Sequence, residues 1–558
     1  MAFIKVGNKV LKCSGNVLTN DVVLFVSLGG DGKTLSITPS TDITEKLTRY
    51  MLVLTPTAGT PTEVDIGSSG TYQLQTLYGT VPNGMYTLSV YAVLTGGNSK
   101  TFGRVEYYVL PPCAAMTLRF QFSQDGYDPN VLQTTQWNKG TWTHIMDNVW
   151  DWTYDNTSWA TVFGAGKSGV PGAFSDDANM VKVIDCGDTS TVTDVSRCFQ
   201  NCTALSEVLA LDTSGATTAT LMFSHCEALQ KVCNLDLSNS GNNIAVFQCA
   251  YGLLAAPNIQ FATAKSYSCQ NFFAQCSRLK CIPVYDLRRC TNLSNFLTGV
   301  LNSVTVNMDI EQIPELSLDS ATDIVNIFNH CTRIKRIHLK NLNNLVKMTN
   351  AFAYCSSAVR IDLDGICKVT HMAKAFYECS SLTSLPWMDL GSVVTLDSTF
   401  DRCSSLVQIP LYDLHSCTIL NGTFQKCPNI HHLPKFDTSN VTDFANCCNG
   451  TDAGTNSLEE IPDWDFSKGT SFSCAFKNNV LLTDISGLRV PSATNVDQMF
   501  SGCRNVETGI TELYEHISTK EVSVTSHSRT FENTGADSGP GAAELAQIPA
   551  DWGGTMST

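Results

Sequence analysis

Cysteine is the residue type in this chain whose number and spacing most invite chemistry. There are 23, and ten stand three places after a phenylalanine: Phe199/Cys202, Phe223/Cys226, Phe273/Cys276, Phe328/Cys331, Phe352/Cys355, Phe376/Cys379, Phe400/Cys403, Phe424/Cys427, Phe444/Cys447 and Phe500/Cys503. A thiol can ligate a metal, pair with a second thiol or attack an electrophile, and each role leaves its own pattern. Zinc sites favour C-x-x-C pairs. None occurs here, and the nearest approximations, Cys198/Cys202 and Cys447/Cys448, have no histidine at ligand spacing. A disulfide framework goes with export, but MAFIKVGNKVLKCSGNVL has no uninterrupted apolar segment and no small-residue cleavage site, so reduced thiols are expected. A nucleophile needs a base. The ten histidines are scattered, with no Ser-His-Asp order and no H-E-x-x-H, and His431-His432 reads as a solvated turn.

The spacing itself explains more. From Phe328 to Phe424 the phenylalanines recur every 24 residues, and variants continue the series: Phe247 with Cys249 one place early, Phe296 with no cysteine, Phe476 with Asn479 instead. A unit reads F-x-x-C-x-x-L-x-x-[IL]-P-x-x-D-L, as in Phe400, Cys403, Leu406, Ile409, Pro410, Asp413 and Leu414. A sustained period of this length predicts a solenoid in which each coil adds a short strand to a parallel sheet and only stacking buries the apolar face. Phe and Cys at fixed positions then form internal ladders. Cysteine suits a tight buried corner, and stacked thiols have parallel Cβ vectors that do not favour disulfides.

On the stretches FQNCTALSEV, FYECSSLTSLP, FDRCSSLVQIP, KFDTSNVTDF and MFSGCRNV, the sequence resembles the BspA-like leucine-rich repeats found on bacterial surface proteins and in phage and prophage structural genes. The resemblance runs from about Asp188 to Cys503 and is closest at Lys435–Phe444. Many units depart from it, replacing D-T-S-N-V-T with D-L-x-x-C, as at Asp286–Cys290 and Asp413–Cys417, which should alter the outer turn rather than the core. It implies a fold and no catalytic site.

An open solenoid needs covered ends. Upstream, Trp137, Trp142, Trp150, Trp152 and Trp159 are expected to close the first coil, with a sugar-stacking platform as the other reading. Downstream, ITELYEHIST predicts an amphipathic helix from about Ile510, followed by a polar tail. Residues 1–112 differ: TYQLQTL, GMYTLSVYAVL and GRVEYYVLP alternate apolar and polar residues, which predicts an antiparallel, immunoglobulin-like β-sandwich. Its opening FIKVGNKVL resembles the start of some phage tail and virion proteins. The expected class is therefore mainly β: a sandwich at 1–112, an aromatic-rich cap at 113–187, a leucine-rich-repeat solenoid at 188–506, and a C-terminal cap and tail at 507–558.

Other features narrow the function. Phe163–Ser168 resembles the end of a phosphate loop, but Thr161 stands where the first glycine belongs and Gly169-Val170-Pro171-Gly172 denies it a helix. The formal charge of −15, with 8 Lys/Arg against 7 Asp/Glu in residues 1–110, leaves no basic stripe for nucleic acid. No apolar run is long enough to span a membrane. Just before the repeated Asp286, Asp389, Asp413, Asp437 and Asp465 stand Tyr285, Met388, Tyr412, Phe436 and Trp464, a candidate contact column or else simply core. The aspartates are expected to cap turns, and calcium at Asp463 and Asp465 would need six or more oxygens. No catalytic residue, cofactor or metal is expected. The expected role is a virion structural protein of a phage, assembled in the host cytoplasm, with the N-terminal domain docking to other virion proteins and the solenoid contacting a bacterial surface glycan or protein. The alternatives are a bacterial surface adhesin and, less favoured, a glycan-processing enzyme.

Overall fold

The computed structural model describes strands and short stretches between residues 3 and 154, then residues 174–451, 458–519, 522–537 and 539–556. The Phe163–Ser168 motif, Trp137 and Trp159 lie outside the described residues. In the N-terminal region the alternating segments form antiparallel strands. Leu47–Pro56, Thr62–Gly67, Gly84–Leu94 and Ser99–Val109 make one four-stranded sheet, and Leu24–Leu28, Thr34–Pro39 and Gly70–Gln73 make a three-stranded one.

The solenoid begins on a mixed sheet. Thr117–Phe122 lies between Val149–Tyr154 and Met180–Cys186, antiparallel to both, and Met180–Cys186 then starts the parallel stack through Glu207–Val208 and Lys231–Val232. The cap thus covers the first coil through the sheet itself. Arg119 on its central strand is buried, and two of its nitrogens, Nε and Nη2, donate to the Asp151 carboxylate, at 2.6 and 2.8 Å.

From there a single ladder of parallel bridges runs through Asp194, Thr218, Asn242, Ser268, Asn292, Asp323, Lys347, His371, Thr395, Ile419, Asp443, Ser471, Asn495 and Ser526. The last rung moves the expected end of the array. The polar tail folds back as one more coil, with Phe531 in the phenylalanine column and the Phe531 N–H donating to Trp552 O. The helix Ile510–Ile517 buries Ile510, Leu513 and Ile517, as its amphipathic pattern predicts. Trp552 closes this end, stacked on His527 at 4.0 Å and meeting Tyr514 edge-on.

The second sheet expected along L-x-x-[IL] is less regular than its spacing suggests. Arg336–Lys340 and Arg360–Leu363 pair as true parallel strands. Where the unit carries proline, as at Pro386 and Pro410, only isolated bridges such as Ser384↔Gln408 survive. Proline has no N–H to give to a ladder.

The part of each coil around the phenylalanine is neither strand nor helix. The residues two before and two after it take positive φ: Asn350 and Tyr354, Lys374 and Glu378, Ser398 and Arg402. A non-glycine residue there is uncommon and costs of order 1–3 kcal/mol. The cost is offset by hydrogen bonds to the next coil: Lys374 N–H to Asp397 O, Phe376 N–H to Thr399 O and Glu378 N–H to Asp401 O, at 2.9 Å each. Among the described residues none of the positive-φ positions is β-branched, as crowding at Cβ requires.

Candidate functional site

The cysteine ladder is the first candidate. Phe199, Phe223, Phe273, Phe328, Phe352, Phe376, Phe400, Phe424 and Phe500 are buried, and so are Cys202, Cys226, Cys276, Cys331, Cys355, Cys379, Cys403, Cys427 and Cys503. The rings stack coil on coil, at 5.4 Å and 3° for Phe199 on Phe223, 5.4 Å for Phe376 on Phe400 and 5.6 Å for Phe400 on Phe424. The ladder thiols point at the carbonyl of the ring position one coil back. Cys379 Sγ donates to Phe352 O at 3.2 Å, Cys403 to Phe376 O at 3.1 Å, Cys427 to Phe400 O at 3.0 Å and Cys503 to Phe476 O at 3.0 Å. The same carbonyl accepts the N–H of its own coil's cysteine, as Phe376 O does from Cys379. A buried carbonyl has two lone pairs to satisfy, and the next coil's S–H supplies the second partner.

That role leaves no room for reactivity. All described cysteines are free thiols, and burial pushes Cys379 and Cys503 up to about 12. A thiol so hard to ionise is neither a nucleophile nor a ready ligand at neutral pH.

Hydrogen-bond register corrects three units read from the F-x-x-C motif. Phe424 N–H donates to Cys447 O, and Cys448 N–H in turn to Ala475 O, so Cys448 holds the phenylalanine position and Phe444 stands four places ahead of it. Phe444 stacks on Phe472, at 5.2 Å. Likewise Leu297, not Phe296, lies between Phe273 and Phe328, because Leu297 N–H donates to Ile327 O. In the Phe247 coil the cysteine position is Ala250, whose N–H bonds Phe247 O, and Cys249 is the positive-φ residue beside it. Asn479 does take the cysteine position: its Nδ2 donates to Cys448 O and Phe476 O at 2.8 and 2.7 Å. Thr534 fills it in the last coil, with Oγ1 donating to Phe500 O at 2.9 Å.

The candidate contact column is core. Tyr285, Met388, Tyr412, Phe436 and Trp464 are all buried. Their polar tips reach back one coil to prolyl carbonyls: Tyr285 to Pro257 O, Tyr412 to Pro386 O and Trp464 Nε1 to Pro434 O, at 2.8 Å each. Alternation holds along this stretch, with Leu411, Tyr412, Asp413 and Leu414 exposed and buried in turn, and it is the column's own face that turns inward. The residue one place earlier is the exposed one, and Val284, Trp387 and Leu411 are 79%, 69% and 63% exposed.

The aspartate column caps turns. Asp286, Asp389, Asp413, Asp437 and Asp465 each accept the N–H two residues on, from Arg288, Gly391, His415, Ser439 and Ser467. The Ser439 hydroxyl and N–H hold Asp437 below the usual carboxylate range, and Ser467 does the same for Asp465. Lys435 Nζ lies 2.6 Å from Asp463, placing an ammonium where calcium was considered. His431 and His432 face Glu459 and Glu460 across one coil boundary. Among the described residues no cluster of His, Cys, Asp and Glu could hold a metal, and no helix is long and apolar enough to cross a membrane.

At the upstream end Trp142, Trp150 and Trp152 pack on the core. Trp152 meets Phe174 edge-on at 5.0 Å, and Phe174 stacks on Phe199 at 5.5 Å. They close the first coil.

Comparison with known families places these coils. Residues 325–431 match the BspA type Leucine rich repeat region, in six copies. Residues 169–285 and 418–537 match the family described as Mycoplasma protein of unknown function, DUF285. The second of these segments includes the extra coil around Phe531. No curated protein matches the chain.

Proposed function

Because the chain carries BspA-type leucine-rich repeats between two DUF285 regions, we propose that it is a non-enzymatic binding scaffold, a phage virion structural protein whose solenoid meets the bacterial cell surface. One observation carries the scaffold reading. The repeated thiols and buried tyrosine hydroxyls point inward and are consumed there, by phenylalanyl and prolyl carbonyls respectively, and the repeated aspartates are engaged in capping turns. What remains outward is a long array of aligned, exposed columns, which suits a polymer or protein partner. The virion assignment rests on the resemblance of FIKVGNKVL and of the repeats to phage proteins. In this reading the N-terminal strands form an immunoglobulin-like sandwich that docks to other virion proteins. The solenoid, in a chain of formal charge −15, favours an uncharged glycan or a protein over anionic polymers. A bacterial surface adhesin is the second reading, and the BspA-type match supports it.

Mass spectrometry of purified phage particles is the test. The chain should be present in stoichiometric amounts, and deletion of residues 1–112 should leave a folded solenoid that no longer incorporates. Absence from particles together with retention on bacterial envelopes would shift the assignment to the adhesin. Release of oligosaccharides from surface polysaccharide would overturn the non-enzymatic reading.

A further inference from the structure

One face of the solenoid is patterned in a way that neither the ladders nor the turns require. It is formed by the residues about seven to eleven places after each phenylalanine. At its centre, in the adjacent Phe376 and Phe400 coils, it carries Trp387, Leu411 and Val407, which are 69%, 63% and 52% exposed. Pro386 and Pro410 lie between them, partly buried. A contiguous apolar patch of this kind on a soluble surface marks a contact.

Charge is arranged about that patch with opposite sign on its two sides. Two coils towards the N-terminus, the Phe328 coil presents Lys335 and Arg336, both exposed, with Lys340 beside them. Two coils towards the C-terminus, the Cys448 coil presents Glu459, Glu460 and Asp463, all exposed. With coils about 4.8 Å apart, each band lies roughly 12 Å from the midpoint between Trp387 and Leu411. Some of these charges have partners within the chain. Lys340 pairs with Glu315, His431 and His432 with Glu459 and Glu460, and Lys435 with Asp463. Those pairs are exposed and therefore weak.

A surface with an apolar centre and equidistant bands of opposite sign is complementary to itself turned end for end. We propose that this face binds a second copy of the chain, antiparallel, on a two-fold axis that passes between the Trp387 and Leu411 coils. Rotation about that axis brings Lys335 and Arg336 of one protomer onto Glu459 and Glu460 of the other, twice. It sets the Phe352 coil against the Phe424 coil, where Asp362, paired within its own chain with the exposed Arg360, meets Lys435. The acidic Asp309, Glu311 and Glu315, held within the chain by Lys280, Arg333 and Lys340, fall opposite Thr483, Asp484, Ser486 and Gly487, of which Asp484 alone is charged and makes the one like-charge approach, at the edge of the interface. Such an isologous interface closes at two copies, whereas an unpartnered apolar face on a rod would propagate. The inference stands independently of where the protein acts.

The experiment is sedimentation velocity on the full chain from about 1 to 200 μM, a range that brackets the weak association expected of an interface at the small end of the size range. The wild type should pass from monomer to dimer within it. Trp387→Asp, at a side chain whose exposure spares the fold, should weaken the dimer by more than about tenfold. The K335E/R336E chain and the E459K/E460K chain should each be monomeric alone, since like charges then meet across the axis. Mixed together they should form a heterodimer, because each supplies the sign the other lacks. A wild type monomeric throughout the range, a dimer indifferent to Trp387→Asp, or a mixture that stays monomeric would each overturn the proposal. An unchanged circular dichroism spectrum for every variant keeps these outcomes interpretable.

Discussion

Two stretches of the same array build their cores differently. From Phe328 to Phe424 each coil has 24 residues, each rung is phenylalanine over phenylalanine, and each carbonyl up to that of Phe400 receives a thiol from the next coil. From Cys448 to Phe476 the coil has 28 residues, a cysteine sits where the ring should be and an asparagine where the thiol should be. Yet the backbone bonds connecting coil to coil continue without a break, and Cys448 and Asn479 are as buried as the residues they replace. The ladder is therefore a property of the backbone register, and the side chains are one of several ways to fill it. In the longer coil the aromatic volume comes from elsewhere. Phe424 stacks on Phe436, Phe436 on Trp464 and Trp464 on Phe444. Asn479 also accepts Leu458 N–H at 3.1 Å, a bond that a cysteine there could not replace.

The largest test of this contrast is truncation of a ring. Phe400 is stacked on both faces, so Phe400→Ala should cost about 3–5 kcal/mol, through lost transfer energy and the cavity left behind. Cys448→Ala removes a single sulfur and should cost about 1 kcal/mol. Urea denaturation gives the totals, and hydrogen exchange of the flanking coils shows that the loss is local. Equal losses would mean that the two stretches do not differ in how they are packed.

The reverse substitution is the sharper one. If the Cys448 rung were merely degenerate, Cys448→Phe would restore the pattern and stabilise the coil. The space beside Cys448, lined by Phe424, Ile430, Leu433 and Leu458, is only about 20 Å³, enough for one water. The aromatic run passes around Cys448 through Phe436, Trp464 and Phe444, so no rung waits there for a ring. Cys448→Phe should therefore destabilise by about 1–3 kcal/mol, and a raised urea midpoint would show that the longer coil is underfilled.

The sequence disclosed the regular stretch and misled at the irregular one for a single reason. Periodicity reads side chains, and register is carried by backbone. Phe400, Cys403 and Leu406 repeat because nothing interrupts them. Phe444 and Cys447 reproduce the motif's letters four places out of phase, and Phe296 stands one place before Leu297. Tyr412 and Trp464 are open to a contact reading because alternation separates two faces without saying which of them is the inner one. The positive-φ positions left a signal that was readable: Asn271, Asn295, Asn326 and Asn350 precede the ring position by two, and Asn478 and Gly502 follow it by two. Asparagine and glycine are the residues that tolerate this conformation. The charge pattern around Trp387 could not be read in advance, since it emerges only when coils are stacked in their true order.

The thiols give a smaller and more specific effect. Cys403→Ala removes the donor to Phe376 O and should cost about 1 kcal/mol, whereas Cys403→Ser retains a donor and should cost less than the alanine variant. Native-state labelling with a thiol reagent should modify Cys281, which is exposed, well before Cys355, Cys379 or Cys403, which should react only on unfolding. Fast labelling of Cys403 in the folded protein would remove the carbonyl-capping role.

Even the regular stretch contains one local conflict, and it yields the smallest effect. Asp401 follows Phe400, is 5% exposed, and has Oδ1 without a hydrogen-bond partner. Arg402 passes it at 3.9 Å and turns instead to Glu378 at 2.5 Å. Burial pushes the Asp401 carboxyl up to about 6, against the opposing pull of Arg402, Lys426 and Lys374. A carboxyl raised from 3.8 binds its proton more tightly in the fold than in the unfolded chain, so stability falls as pH rises from about 4 to 6 and the penalty is complete above that. Asp401→Asn abolishes the ionisation at nearly constant shape. It should stabilise the protein by about 1 kcal/mol at pH 7.5, after allowance for screening by solvent and neighbouring cations, and leave it unchanged near pH 3.5. Urea midpoints at the two pH values decide the matter. A gain at both would trace the effect to packing, and a loss at pH 7.5 would mean that Arg402 holds Asp401 as an attractive pair.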